Sequence, residues 1–314
     1  MNSRLSALTQ SKQSRAVAAL AVSGIAWGTS VPLSKAALGW LSPGWLVAVR
    51  FGLAAAVLLV MVDKSALRRA LRWPILAWGA VGLGGSILVQ NIGLGQTSVT
   101  HAALLIGATP VLVAVVSALW RHNVARPLAW AGFLVSLAGV TVVAIGGGGG
   151  ASDKGDALVL LSVLIAATLT VVQGRMLENQ DPAAFTAVQF LGAAVAAVPF
   201  AALSGAPSMP TGGSGLIAVL AVVGLTLVGT IIPFTLFASG QHSVSTEVAG
   251  AFLNLEPLVG ALIGVVAFSD PAGPRLAVGA AAIVGGILMS SLQVLHREGD
   301  DRSRRRGSRL AAAH

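Results

Sequence analysis

No cysteine occurs in the 314 residues. Disulfide frameworks and thiolate metal sites are therefore excluded, and redox chemistry gives no reading of compartment. Charge is nearly as scarce. Asp, Glu, Lys and Arg together make up 10% of the chain, against about 25% in an ordinary soluble domain. The scarcity is also uneven: Trp73 to Trp120 contains none of these residues, and neither does Pro182 to Thr246. Such stretches could not cover a water-facing surface, yet each is long enough for two or three spanning helices at ~20 residues apiece. A hydrophobic fraction of 55% and a mean hydropathy of +0.84 agree. The chain reads as a membrane protein.

What charge there is leans basic, with a formal net charge of +9. Nucleic acid is nevertheless not an expected partner. The basic residues lie between and beyond apolar segments, not on one soluble face. Arg4, Lys12 and Arg15 precede an apolar run in the manner of a signal peptide. That run continues past Trp27 and Pro32 without a small-residue cleavage site, so an uncleaved first helix is expected.

Apolar runs bounded by charges or turn residues predict an all-α polytopic protein with ten transmembrane helices. The first five lie near residues 16–39, 44–62, 73–94, 99–119 and 127–146. The second five lie near 156–177, 182–204, 215–238, 244–268 and 274–294. The expected organisation is a cytoplasmic tail (1–15), a first five-helix repeat (16–146), a glycine-rich linker (147–155), a second repeat (156–294) and a basic cytoplasmic tail (295–314). With the N-terminus taken as cytoplasmic, the cytoplasmic segments hold Arg4, Lys12, Arg15, Lys64, Arg68, Arg69, Arg72, Arg121, Arg126, Arg175 and six arginines from Arg297 to Arg309. The other side holds Lys154 and Arg275, while Lys35 and Arg50 fall inside helices. This bias predicts both termini in the cytoplasm of an inner-membrane protein, which needs an even helix number. The run Arg302-Ser303-Arg304-Arg305-Arg306 is expected to anchor topology or touch anionic lipid.

An internal repeat carries the argument further. Gly95-Gln96-Thr97-Ser98-Val99-Thr100 returns as Gly240-Gln241-His242-Ser243-Val244-Ser245, each closing one helix and opening the next. Each following helix has an interior proline, Pro110 or Pro257. Five helices per repeat is an odd number, so the second copy enters the membrane from the opposite face. Inverted repeats suit a carrier, because one packing can open to either side around a site near the midplane.

Several local patterns resemble the drug/metabolite transporter superfamily, in particular its ten-helix EamA-type exporters. They are Trp27-Gly28-Thr29-Ser30 followed by Lys35, Pro43 with Arg50-Phe51, the small-residue run from Ala102-Ala103-Leu104 to Pro110, and Leu255-Glu256-Pro257. The resemblance spans about residues 16–294. It departs at Arg121-His122, where the family's first repeat often carries an acidic residue; Asp270 roughly fills that place in the second. The resemblance implies export of small metabolites, with bacterial exporters of aromatic and other neutral amino acids nearest in length and motif.

Ionisable groups inside a bilayer need a partner, water or a function. Lys35 either snorkels outward or serves a gate. Arg50 either ties down helix-end carbonyls or binds an anion. Glu256, beside Pro257, is either a protonatable coupling site or a paired strut. Gln90, Asn91 and His101 are expected at one depth, as interhelical bonds or as donors to a substrate's polar groups. Trp27 and Phe234 could line an apolar pocket for a flat substrate, with Ser30 and Asn254 as further cavity candidates. Pro110, Pro233 and Pro257 are expected to kink helices that serve as gates.

Other classes fit poorly. Ser86 with His101 is a weak case for a membrane protease, and clustered metal ligands are missing. No cofactor is expected, and the lack of an ATP-binding loop argues against direct ATP drive. The expected partners are a small-molecule substrate and membrane lipids, with monomer and homodimer both open. An exporter of drugs or organic cations, and a non-transporting sensor or scaffold, remain the alternatives.

Overall fold

The computed structural model describes residues 2–121, 127–145, 152–208, 210–244, 249, 252–253, 255–270, 272–275, 277–286 and 289. Asn254, most of the glycine-rich linker and the arginine tail lie outside them. Among the described residues every regular element is a helix. Ten apolar helices follow in order: α1 (Ser14–Ala37), α2 (Pro43–Met61), α3 (Trp73–Leu94), α4 (Val99–Trp120), α5 (Pro127–Ile145), α6 (Asp153–Met176), α7 (Pro182–Leu203), α8 (Gly212–Gln241), α9 (Leu255–Phe268) and α10 (Ala277–Gly286). All but α5, α9 and α10 have a described stretch long and apolar enough to cross a membrane unaided. The first helix extends back to Asn2. The end that holds Trp40 and Trp45 is termed outer, after the side that the charge count predicts to be external.

Local chemistry sets where these helices start. Ser42 accepts a bond from the Trp45 amide at 3.4 Å, and Pro43 follows as the first helical residue. Asp181 accepts from the Ala184 amide at 2.8 Å, with Pro182 next. A side-chain oxygen satisfies an orphan N–H, and proline occupies a position where its missing N–H costs nothing. Ser98 and Ser152 cap α4 and α6 in the same way. At the outer end, Trp40 and Trp45 donate their indole N–H groups to the carbonyls of Ser208 and Gly205, as interfacial tryptophans tend to do.

The packing repeats with a five-helix shift. α2 lies along α7 and α4 along α9; α1 packs on α8 just as α6 packs on α3. Phe51 and Phe190, each eight positions after the opening proline of its helix, meet with ring centroids 5.3 Å apart. The irregularities repeat as well. α3 passes through a π-helical segment at Gly79–Gly85 and α8 through one at Leu227–Ile231. Five spans separate each pair, so equivalent ends face opposite sides. The fold is a polytopic bundle of two inverted five-helix repeats.

Small residues allow the close crossings. A Cβ on Gly44 would lie 2.5 Å from the Ala201 nitrogen and 2.6 Å from the Phe200 carbonyl carbon, so α2 and α7 touch backbone to backbone there. Gly192 meets the backbone of Leu76 and Ala80 on α3 in the same fashion.

One element has no counterpart in the apolar pattern. Lys64–Ala70 forms a short helix between α2 and α3, capped by Asp63, whose carboxylate accepts from the amides of Ser65 (2.7 Å) and Ala66 (3.2 Å). A bond from the Ser65 hydroxyl, followed by these amide bonds, holds the exposed Asp63 carboxyl below its ordinary range. A carboxyl depressed in the folded state stabilises above its unfolded pKa, and the effect is lost as pH falls through the folded value. The protection factors of the Ser65 and Ala66 amides, taken against the intrinsic rate at each pH, are therefore expected to be highest at neutral pH and to fall in acid. Asp63→Ala should lower them at neutral pH too.

Candidate substrate site

Proline has no N–H, so in an α-helical register the carbonyl four residues earlier loses its donor. For Pro233 that carbonyl belongs to Gly229, and it accepts from Arg50 Nη2 at 2.9 Å. The Nε–H of the same guanidinium donates to the Thr230 hydroxyl, whose own proton goes to the Leu225 carbonyl at 2.7 Å. Arg50, 2% exposed, thus bridges α2 to the π segment of α8. The other two prolines meet the same shortage differently. Ile106 O, one turn before Pro110, accepts the Thr109 hydroxyl; Leu253 O, one turn before Pro257, accepts the Glu256 amide at 3.2 Å. Pro110 follows a break at Gly107–Ala108, and Pro233 opens the α-helical stretch beyond its π segment. Pro110 begins a new segment, whereas Pro233 lies inside the continuous helix α8, where the π segment returns to α-helix.

An aromatic cluster surrounds the clamp. Trp27 meets Phe234 edge-on at 4.8 Å and Phe237 at 5.1 Å. Phe234 also meets Phe190 at 5.4 Å and Phe51 at 6.2 Å. The Arg50 guanidinium carbon sits 5.0 Å from the Phe51 ring centroid, a cation–π distance. Ser30 follows the break in α1 at Thr29, and its Cβ would lie 3.3 Å from a Cβ on Gly229. The Glu256 carbonyl faces Gly28, next to Trp27, at 3.1 Å from an added Cβ. Glu256 and Arg50 feel each other electrostatically but do not touch: among the described residues the ion pair within 4.0 Å is another one. Arg50 lies about two turns into α2, roughly 11 Å from its outer end and close to the middle of a ~30 Å hydrocarbon core. Trp27, Ser30, Arg50, Phe234 and Glu256 are therefore brought together at mid-depth.

The remaining candidates form a second layer nearer the outer end. The Lys35 ammonium donates to the carbonyls of Leu94 (2.6 Å) and Thr97 (2.8 Å), tying α1 to the α3–α4 turn. His101 faces Asp156 through Nδ1 at 3.3 Å, and the Thr97 hydroxyl donates to the other oxygen of Asp156 at 2.7 Å. Asp270 accepts from the Thr100 amide at 2.7 Å. Asn91 is fully buried, with neither side-chain amide atom hydrogen-bonded, and Gln90 is half-buried beside it.

Sequence reasoning passed over Asp156, Thr97, Thr230, Gln189 and Phe190. A signal existed for the last two. Pro43 to Arg50-Phe51 and Pro182 to Gln189-Phe190 have one spacing, so the inverted partner of Arg50 is a glutamine. No comparable signal marked Asp156, which reads as an ordinary acidic residue in a first helical turn.

The comparisons with known proteins agree with this architecture. The model of the EamA-like transporter family matches residues 14–145 and again 153–292. The chain belongs to the EamA-like transporter family. This EamA-like chain is 28% identical to the aromatic amino acid exporter YddG of Ancylobacter novellus over 85% of its own length and 93% of the relative's. It is 25% identical to a probable terminal-alkyne amino-acid exporter of Streptantibioticus cattleyicolor, covering 91% of this chain and 96% of that one. An uncharacterized transporter of Bacillus subtilis, YyaM, is 25% identical over 84% and 89%. A solved crystal structure shares the fold, with TM-score 0.72 over 91% of this chain and 99% of the other at 24% identity. All three of these relatives carry the name of a transporter or an exporter.

Proposed function

We propose that the chain is a secondary transporter of the inner membrane that exports small metabolites by alternating access, with amino acids, aromatic ones included, as its substrate class. The observation that carries this is the meeting of Arg50, Glu256 and the Trp27–Phe234 pair at mid-depth, where α1 and α8 both depart from regular α-helix. A zwitterion needs a cation for its carboxylate and an anion for its ammonium. A flat side chain is met well by aromatic edges and faces. Two of the five N–H groups of Arg50 are engaged in the bonds to Gly229 and Thr230. The names of the two exporter relatives favour the same substrate class. The sixteen basic residues counted on one side support cytoplasmic termini. We take the two stretches matched by the family as the two repeats.

Flux into liposomes tests the reading. Reconstituted protein is expected to move labelled phenylalanine saturably above protein-free liposomes, and excess unlabelled aromatic amino acid should compete. Glu256→Gln is expected to flatten the pH dependence of that flux by removing an ionisable group. An organic cation moving while no amino acid does would replace this reading with that of a drug exporter. No flux of either would leave a non-transporting membrane protein.

A further inference from the structure

The outer layer contains a group of ionisable side chains that the mid-depth site does not use. Asp156 is 7% exposed and His101 5%. Both oxygens of Asp156 are engaged, one by the Thr97 hydroxyl and one by His101 Nδ1. Gly93 and Gly155 let α3 and α6 approach until a Cβ on Gly93 would lie 2.7 Å from the Gly155 carbonyl. The elements packed on this corner bring few charges. α1 brings Lys35, which also feels Asp270 electrostatically. The turn after α9 brings Asp270, and α9 itself carries Glu256 at mid-depth. α6 adds Asp153 and Lys154, both exposed and opposite in sign. α5 brings no titratable side chain among the described residues. The inward-facing set is thus one cation, Lys35, against two aspartates. A single proton on His101 brings it to neutrality.

We propose that His101 and Asp156 form a proton-binding site at the outer end, and that its occupancy holds the external entrance closed. The proposal rests on the alternating-access reading above. With Nδ1–H directed at Asp156, a proton from external water adds to Nε2, no other bond changes, and the ring becomes a cation. The bond to Asp156 is then charge-assisted on both sides, which roughly doubles the strength of a hydrogen bond. Histidine is the side chain suited to such a change between mildly acidic and neutral conditions.

The inverted position supports a one-sided role. Its turn, Gly240-Gln241-His242-Ser243, is fastened to α6 by Gln241 Nε2 donating to the Thr170 carbonyl (3.4 Å) and by Gln173 Nε2 donating to Gln241 Oε1 (2.9 Å). Those are neutral amides, and His242 there is exposed. Among the described residues, the outer turn is thus fastened through a charged side chain where the inner turn is fastened by neutral amides. External pH, and not internal pH, should bias which face is open.

Because the chain has no cysteine, paired labels report without background. Ile92→Cys on α3 and Leu161→Cys on α6 are partly exposed, apolar positions on the two helices that meet at Gly93 and Gly155. Spin-label distances between them would be measured on the full chain in lipid nanodiscs, at about pH 5.5 and about pH 8. A shift of about fivefold toward the short distance is expected at the lower pH, the small end of ordinary coupling between sites. His101→Gln should remove the pH dependence, and Asp156→Asn should favour the longer distance at both pH values. Circular dichroism and thermal melting of each variant show that it is folded. A distribution unaffected by pH in the parent, or an equal shift in folded His101→Gln, overturns the proposal. Loss of phenylalanine flux with the pH-dependent distance intact would count against the transport reading and not against the proton site.

Discussion

Arg50→Ala is expected to abolish transport and to remove about 3–5 kcal/mol of stability. The large figure has two sources. Truncation leaves a cavity at a position that is 2% exposed. It also strips the Gly229 carbonyl of the donor that Pro233 cannot supply, and a buried acceptor without a partner costs about 1–3 kcal/mol by itself. The second source makes a sharper test. Pro233→Ala restores an N–H one turn beyond Gly229, so the double variant Arg50→Ala/Pro233→Ala should regain part of the stability lost by the single one. Thermal unfolding in detergent or nanodiscs measures both steps. Additive losses would show that the Gly229 carbonyl is not what links the two residues. Transport should not return with stability, because the double variant still lacks the guanidinium proposed to meet the substrate carboxylate.

Gly44→Val is expected to prevent assembly of the α2–α7 contact, at a cost of about 3 kcal/mol or more. The atoms that a Cβ would meet, Ala201 N and the Phe200 carbonyl carbon, are helix backbone and cannot rotate aside. The α2–α7 pair relates the two repeats, so the loss should appear as aggregation or degradation during membrane expression, not as a modest change in melting. Gly213→Ala is the control. It lies in the first turn of α8 with nothing within 4 Å of an added Cβ, and should change stability by less than about 1 kcal/mol, on the stabilising side. Fluorescence-detected size exclusion of tagged variants separates these outcomes in one experiment.

Much of the fold was legible because a bilayer imposes a coarse rule. Long apolar runs poor in charge must span, so α2, α3, α4 and α7 fall within a few residues of their expected ranges. The short helix Lys64–Ala70 escaped because its signal is a local cap at Asp63 and not an apolar period. The π segments escaped for another reason. A residue gained within a helix leaves hydropathy unchanged, and only the fit of Gly79 against α7, or of Gly229 beneath Arg50, selects it.

The site was legible in part for related reasons. Arg50, Glu256 and Trp27 stand out because ionisable and bulky groups are conspicuous in apolar helices. Lys35 stood out as well, but its bonding did not. Backbone carbonyls at the α3–α4 turn are available only once α1 and α3 are packed, and sequence carries no mark of them. The pairing of His101 with Asp156 joins positions on two repeats, and becomes visible only through the inversion that sets α6 against α3. Gln90, Asn91 and His101 were grouped by depth alone; in three dimensions His101 turns to α6 and Asn91 is enclosed.

A π turn holds one residue more than the α-helix around it needs. Were that surplus shifted to the inner end of α8, the stretch between its old and new places would turn by about 100° around the helix axis, with almost no tilt. Phe234 and Phe237 would leave Trp27, and the Gln241 amide would leave Gln173. Twisting one rod in place could therefore undo the aromatic contact and the inner fastening together, while α2 and α7 stay where they are.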